Sequence, residues 1–450
     1  MNQKNIGRRK FIKNTVAVSA AISVGGVLSG FTPKSYRNIV GANEQFRIGV
    51  MGVNSRGQAL ATNFARQPNA LVTYISDVDS RAQAKCIEEV AKIQNSKPQG
   101  IPDFRIALEK QDMDIMVIAT PDHWHAPAAI LASHAGKHVY LEKPASHSPQ
   151  EGEWLVQVQK KYGNVIQMGN QRRSWPNVRE AIQAVHDGVI GKVYFAKGWY
   201  TNNRASIGRG KQVPVPDWLD YELWQGPAPR EPYRDNIIHY NWHWFWNWGT
   251  GEALNNGTHM VDLMRWGLQV DYPTLVNSAG GRYRYDDDWE TPDTQVINLE
   301  FGDKATMTWE GRSCNGKHIE DTSVGVIFYG EEGSLMIGGG NAYKIFDLKN
   351  NVVKDVVNDV KVDPRNASNP SQMLDAMHFQ NFFDGIKSGA PLNADIESGH
   401  ISTLLCQLGN IAVRRQETLH TDPSNGHIKK NKKAMKLWSR SYEKGWKPSV

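Results

Sequence analysis

Cysteine is scarce. Three residues in 450, Cys86, Cys314 and Cys406, stand far apart and form no Cys-x-x-Cys pair. That argues against a disulfide framework, a cysteine-ligated zinc site and an iron–sulfur cluster, and leaves each thiol as small apolar filling. Surplus charge is scarce as well. The formal net charge is +6, yet seven Lys or Arg and no acid fall within residues 1–40, so the remainder carries −1. A near-neutral body gives no bulk electrostatic support for a nucleic-acid partner. The basic stretch from Lys429 to Lys436 reads as a solvated end. No internal repeat is apparent. What remains is a soluble, globular composition, 40% apolar and 22% charged, at a length that suits two domains.

Residues 1–40 read as an export signal. Gly7-Arg8-Arg9-Lys10-Phe11-Ile12-Lys13 leads into an uncharged stretch from Asn14 to Phe31, rich in Ala, Val, Ser and Gly. A basic start, a weakly apolar middle and small residues beyond it describe a secretory signal peptide. The Arg-Arg-x-Phe-Ile-Lys string resembles the twin-arginine signal, which exports folded proteins. An ordinary secretory signal and a retained anchor are the alternatives, although the stretch is short and glycine-bearing for a span. The expectation is a periplasmic or otherwise exported protein with no stable membrane insertion after processing.

Residues 41–165 carry a strand, a glycine turn, a helix and a second strand ending in an acid. Phe46 to Met51 is a short apolar strand, followed by Gly52-Val53-Asn54-Ser55-Arg56-Gly57, a helical stretch from Gln58 to Arg66, and a strand from Leu71 to Ser76 that ends at Asp77. This is the layout of a dinucleotide-binding βαβ unit. Gly52 permits the tight turn, the helix N-terminus offers free N–H groups to a pyrophosphate, and Gly57 lets helix and strand approach. Asp77 lies where a carboxylate accepts hydrogen bonds from the adenosine ribose and repels a 2′-phosphate, which favours NAD over NADP. Asn54 replaces the middle glycine of the motif; Asn tolerates left-handed backbone better than other side chains.

The alternation continues with a buried parallel strand, Asp114 to Ala119, ending at Thr120-Pro121-Asp122-His123-Trp124-His125, and with His138 to Leu141, ending at Glu142-Lys143-Pro144. Both ends fall at the carboxyl edge of the sheet, where such folds bind ligands. The His123-x-His125 spacing suggests a metal, but two ligands without a neighbouring acid or thiol cluster are insufficient, so no metal is expected and both histidines read as lining the cofactor pocket.

Together, the Gly turn, Ala-Thr-Pro-x-x-x-His, Glu-Lys-Pro, and a later Gly257-Thr258-His259-Met260-Val261-Asp262 resemble the glucose–fructose oxidoreductase and inositol dehydrogenase family, Gfo/Idh/MocA. The resemblance runs from Phe46 to about Thr421. It implies an α/β fold: an N-terminal Rossmann domain joined to a C-terminal α/β domain with an open, mainly antiparallel sheet. It also implies a homo-oligomer, a dimer or tetramer. Lys143 takes the family's acid/base role, and His259 the place of the histidine that touches the reacting hydroxyl. Many members have Asp four residues before that histidine; this chain has Asn255, which cannot relay a proton and is expected to hold a hydroxyl instead. Read without the family, a lysine beside nicotinamide and partly desolvated has its pKa depressed towards neutrality and accepts the proton that must leave as hydride departs.

Residues 166–450 form the substrate half. Eight of the fifteen tryptophans lie between Trp199 and Trp266. If extended, Trp242-His243-Trp244-Phe245-Trp246-Asn247-Trp248 points its tryptophans to one side, as core, subunit interface or sugar platform. Arg173, His239, Trp242, His243, Asn255 and His259 are the candidate sugar contacts. Short alternating strands follow between Thr294 and Ile337, then amphipathic helices at Ser371 to Lys387 and Ile396 to Arg415. Three functions fit: an NAD-dependent oxidoreductase acting on a sugar or glycoside hydroxyl, with a tightly bound cofactor recycled in each turnover because exported protein meets no NAD pool; an NAD-assisted glycoside hydrolase, lyase or epimerase working through a transient keto-sugar; and a non-catalytic sugar-binding relative.

Overall fold

The computed structural model describes residues 45–357 and 372–450; the export signal read in residues 1–40 lies outside them. Six strands, β1 (Phe46–Met51), β2 (Ala70–Ser76), β3 (Gln99–Gly100), β4 (Ile115–Ile118), β5 (His138–Leu141) and β6 (Ile166–Met168), form one sheet in the order β3-β2-β1-β4-β5-β6, with every pair parallel. Parallel pairing needs a crossover between successive strands, and helices α1 (Arg56–Ala65), α2 (Ser80–Gln94), α3 (Phe104–Leu108), α4 (Asp122–His134) and α5 (Pro149–Tyr162) supply them. β4, Ile-Met-Val-Ile, is buried throughout because helices cover both faces. The strand order reverses between β1 and β4, and that switch point opens a crevice at the carboxyl ends. β6 lies past residue 165, where the sequence alone places the end of this half.

The second sheet has nine strands: β7 (Val193–Thr201), β8 (Leu275–Gly281), β9 (Thr294–Glu300), β10 (Thr306–Arg312), β11 (Val324–Gly330), β12 (Gly333–Ile337), β13 (Tyr343–Asp347), β14 (Val352–Val356) and β15 (Leu419–His420). Their order is β14-β13-β12-β11-β7-β10-β9-β8-β15, and within this sheet, among the described residues, only the β7–β10 pair is parallel. One face carries α6 (Pro176–His186), α9 (Gly257–Leu268) and α11 (Ile396–Arg415), which share a single apolar core with the strands. Gly198 on β7 lets α9 approach closely, since a Cβ there would lie 3.1 Å from Met260 and Met264. Two short helices, α7 (Tyr221–Gln225) and α8 (Glu252–Asn255), interrupt the connection from β7 to α9.

The helix α10 (Gln372–Ser388) returns to the first sheet. Phe379, Phe382 and Phe383, spaced along one helical face, pack with Phe64 and Tyr140 of the dinucleotide half; Phe64 and Phe379 stack at 3.7 Å. The halves are therefore interlocked rather than strung in sequence. Among the described residues, no helix is long and apolar enough to cross a membrane.

The tryptophan run does not extend. Residues Asn241–Trp244 form a 3₁₀ turn, whose period of three breaks the alternation. Trp244 and Trp248 are buried core, Trp244 stacking on Trp289 at 3.9 Å, while Trp242 faces the crevice.

Candidate active site

The crevice between the two sheets is a cleft of about 420 Å³ lined by both halves. Its floor is the β1–α1 turn. Gly52 has φ +80°, and a Cβ there would sit 2.8 Å from Ala119 O, so the left-handed position belongs to Gly52. Asn54 makes no use of the left-handed backbone that Asn tolerates: its φ is not positive. At Gly57 a Cβ would fall 1.8 Å from Gly52 O. Gly57→Ala is therefore expected to push α1 off the turn and weaken NAD binding at least about tenfold, ~1.4 kcal/mol, as titration calorimetry would register; an unchanged Kd would contradict this role. Helix α1 begins at Ser55 without a side-chain cap and has no acid in its first turn. Its N–H groups and the positive end of its dipole stay available to an anion.

Asp77 closes β2. One of its oxygens accepts from Val53 N at 2.6 Å and the other from Asp79 N at 2.8 Å, which aims the carboxylate along the turn. Burial pushes its pKa up against these bonds. Thr120 Oγ1, buried at the end of β4, has no hydrogen-bond partner among the described residues. A left-handed glycine cradle, an uncapped helix end, an acid at the end of the second strand and an orphaned hydroxyl fit a dinucleotide.

Arg56 and Glu142 also line the cleft, but they hold each other. Arg56 Nε donates to Glu142 at 2.7 Å, and its two terminal nitrogens grip Asp375 on α10 at 2.9 and 3.0 Å. This fork ties the glycine turn to the returning helix. Of the Thr120–His125 segment, Thr120, Pro121, Asp122, Trp124 and His125 reach the cleft. His125 is clamped between Pro144 O at 2.5 Å and Thr120 O at 2.9 Å. His123 is not in the cleft: it is fully buried, its nitrogens facing Trp248 O and Trp224 O, and burial lowers its pKa to about 3. Its expected place beside the cofactor is corrected to a structural one.

Lys143, Asn255 and His259 meet on the cleft wall. Lys143 Nζ donates to Asn255 O at 2.7 Å and to Asn255 Oδ1 at 3.3 Å. Burial lowers the lysine's pKa, with Glu142, Asp122 and Glu252 opposing the shift. Asn255 Nδ2 points to Glu252 at 3.3 Å, so the amide orients Lys143 instead of standing free for a sugar hydroxyl. His259 Nδ1 is buried without a partner among the described residues, and burial, aided by the positive charges of Arg172, Lys143 and Arg56, drives its pKa well down. His259 is therefore a neutral imidazole.

Arg173 is a second correction. It forms a fork with Asp262 at 2.8 and 2.7 Å, and Ser402 also donates to that carboxylate; it does not line the cleft. The final Asp of the Gly-x-His-x-x-Asp motif anchors α9 through it. His239, Trp242 and His243 do line the cleft. Trp242 stacks on His243 at 3.6 Å.

The sequence pattern did not single out the polar cluster around Glu252. Arg204 donates to Glu252 at 2.8 Å, to the Tyr240 hydroxyl at 2.7 Å and to the Tyr200 hydroxyl at 3.3 Å, and Asn202 donates to Tyr200 at 2.8 Å. Glu252 also accepts from Asn255, so these hydroxyls and amides continue the Lys143–Asn255 wall as a preorganised polar surface lining the cleft. The available signal was Glu252, an acid three residues before Asn255 in an otherwise uncharged stretch. Among the described residues, no three His, Cys, Asp or Glu side chains gather as a metal cage.

Comparison with known proteins gives the fold its family. The profile described as oxidoreductase family, NAD-binding Rossmann fold, matches residues 46–170, and the one described as oxidoreductase family, C-terminal alpha/beta domain, matches residues 199–448. A glycosyl hydrolase family 109 protein of Saccharopolyspora erythraea is 29% identical over 47% of this chain, which spans about half of that relative, 49%. Glycosyl hydrolase family 109 protein 2 of Shewanella sp. (strain ANA-3) is 32% identical over 70% of this chain and 69% of its own length. Among solved structures, levoglucosan dehydrogenase in complex with NADH shares the fold at TM-score 0.64 and 17% identity, over 84% of this chain and 99% of that one. The chain is thus an NAD-binding enzyme of the Gfo/Idh/MocA oxidoreductase family.

Proposed function

We propose that this enzyme cleaves glycosides by a redox-neutral route through a transient keto-sugar. The observation that carries the proposal is a single cleft holding two bases, Lys143 and His259, both driven by burial towards their uncharged forms. The relatives named as glycosyl hydrolase family 109 proteins support it. Bound NAD supplies a reversible hydride acceptor beside the sugar carbon, and Gly52, the N-terminus of α1, Asp77 and Thr120 would hold it.

Lys143 takes the proton of the reacting hydroxyl. Its two bonds to Asn255 leave one nitrogen position for the substrate and fix it in place. A ketone at that carbon acidifies the neighbouring carbon–hydrogen bond. His259, a neutral imidazole in the same cleft, accepts this second proton, and the electron pair left behind expels the aglycone, which departs as an alcohol after taking a proton from the site. Water then adds at the anomeric carbon, the proton returns to the neighbouring carbon, and the ketone is reduced again, so no net oxidation occurs. Tyr200, Tyr240 and Asn202 position the ring hydroxyls. A net sugar oxidoreductase, returning the hydride to a second sugar or ketone, is the competing chemistry; membership of an oxidoreductase family favours it, and it would use the same lysine.

Turnover separates the two. Purified protein given an aryl glycoside and no added NAD is expected to release many equivalents of aglycone without accumulating NADH; stoichiometric NADH would overturn the proposal. The pH profile follows from Lys143. As a base it must be unprotonated, so kcat/KM is expected to rise with pH along a limb centred below the ordinary lysine value of 10.5 and to flatten above it. We further propose that the chain is exported with its cofactor bound, on the strength of the twin-arginine-like start. Protein recovered from the periplasm is expected to carry about one NAD per chain.

A further inference from the structure

The roof of the cleft comes from the second half of the chain. Between β7 and α8, residues 202–249 leave the sheet and bury an apolar cluster around Leu219, Tyr221, Trp224 and Trp248. This excursion lands on the turn that follows β2. Leu219 pairs with Asp79 as an antiparallel bridge, Ser80 N donates to Trp218 O at 3.0 Å, and Asp220 N donates to Val78 O at 3.0 Å. Side chains fasten the same joint. His239 Nε2 lies 2.9 Å from Asp79 Oδ2, and the Arg81 guanidinium sits 3.4 Å over the centroid of the Trp218 ring. Asp79 itself is buried, 2% exposed, and its carboxylate also accepts from Arg81 at 3.1 and 2.9 Å. Just beneath, Asp77 accepts from the Asp79 N–H with one oxygen and from the Val53 N–H with the other. The acid suited to the adenosine ribose and the acid that fastens the roof therefore share one three-residue turn. On the adenosine side Leu223 and Trp224 join Pro102 and Phe104 in lining the cleft.

We infer that this excursion is a latch over the adenosine end of the dinucleotide, with the Asp79–His239 pair and the Arg81–Trp218 stack as positioning residues that keep NAD from dissociating between turnovers. The inference rests on the retained-cofactor reading above. A dinucleotide lying between the Gly52 turn and this roof leaves only when residues 216–221 part from residues 78–80. The two side-chain contacts add to the backbone bridge in opposing that separation. Their removal leaves the bridge and the apolar cluster in place, so it speeds release without dismantling the fold.

Timed gel filtration of the purified holoenzyme in NAD-free buffer, with the retained NAD quantified after acid release, tests the latch. Trp218→Ala and His239→Gln are each expected to lose NAD at least about tenfold faster than the unmodified enzyme. Trp218→Phe keeps a ring beneath Arg81 and is expected to restore slow release, which a merely space-filling role for the indole would not require. Arg81→Ala, at a side chain 58% exposed, repeats the test from the other side of the stack and also removes the Arg81 fork to Asp79, so its thermal stability is measured beside its release rate. Release rates equal to the parent's in both Trp218→Ala and Arg81→Ala overturn the latch, as does a parent enzyme that itself empties within one passage. Failure of the glycosidase reading shows differently, as a holoenzyme that keeps its NAD and releases no aglycone.

Discussion

Lys143→Met is expected to lower kcat for glycoside cleavage by about 10³-fold, the range removed with a positioned acid/base group, while the dinucleotide stays bound. Methionine preserves the stem and much of the volume, so the change deletes the amine and little else. The amine is held at 2.7 Å by Asn255 O and again by Asn255 Oδ1, and burial lowers its pKa. Two neighbours are already engaged: His125 is committed to two backbone carbonyls, and Arg56 to Glu142 and Asp375. Steady-state rates with an aryl glycoside, alongside the NAD content of the same preparation, measure the effect. A loss of less than about tenfold would mean that the hydroxyl proton leaves by another path. Asn255→Ala, which removes the second contact and keeps the backbone carbonyl, is expected to fall between the two.

Arg173→Ala is expected to destabilise the fold by about 3–5 kcal/mol, the range for breaking one partner of a buried ion pair, instead of raising KM for the sugar. Side-chain exposure is 10% for Arg173 and 3% for Asp262, so the carboxylate would remain buried without its fork. Burial tends to raise the pKa of Asp262, but the charge and bonds of Arg173, with help from Arg265 and Ser402, bring it below 3.8. The sign follows directly: this pair stabilises the protein fully above pH 3.8, and the contribution is lost as pH falls through the lower folded value. Denaturant titration at pH 7 and near pH 3 measures both. A variant of undiminished stability with a raised KM would return Arg173 to the substrate site.

The dinucleotide half was legible because its signals are local. A glycine turn, an acid at the end of the next strand and continuous apolar strands such as Ile115–Ile118 lie close together in the chain, and a parallel sheet allows those strands little other use. The four short motifs led to the family, and with it to the second sheet. Distance in sequence hid the rest. Arg204 and Glu252 are 48 residues apart, so their pairing, and the polar wall it builds with Tyr200 and Tyr240, left no periodicity to read. Asn170-Gln171-Arg172-Arg173 does not by itself reveal which arginine turns inward; Arg173 pairs with Asp262, the acid that ends the Gly-x-His-x-x-Asp motif. His123 and His125 looked equivalent by spacing, yet helix α4 points one into the Trp224–Trp248 core and the other to the Pro144 carbonyl at the cleft. The return of α10 to the first sheet depends on three phenylalanines meeting Phe64 across more than 300 residues, beyond what helical spacing predicts.

Cleavage in heavy water is the most direct test of the central claim, that a ketone forms transiently and the neighbouring carbon is deprotonated before the aglycone leaves. An aryl glycoside turned over in D₂O by purified enzyme, without added NAD, should yield a sugar carrying one solvent deuterium on the carbon next to the anomeric centre. A released sugar free of deuterium there would contradict the account.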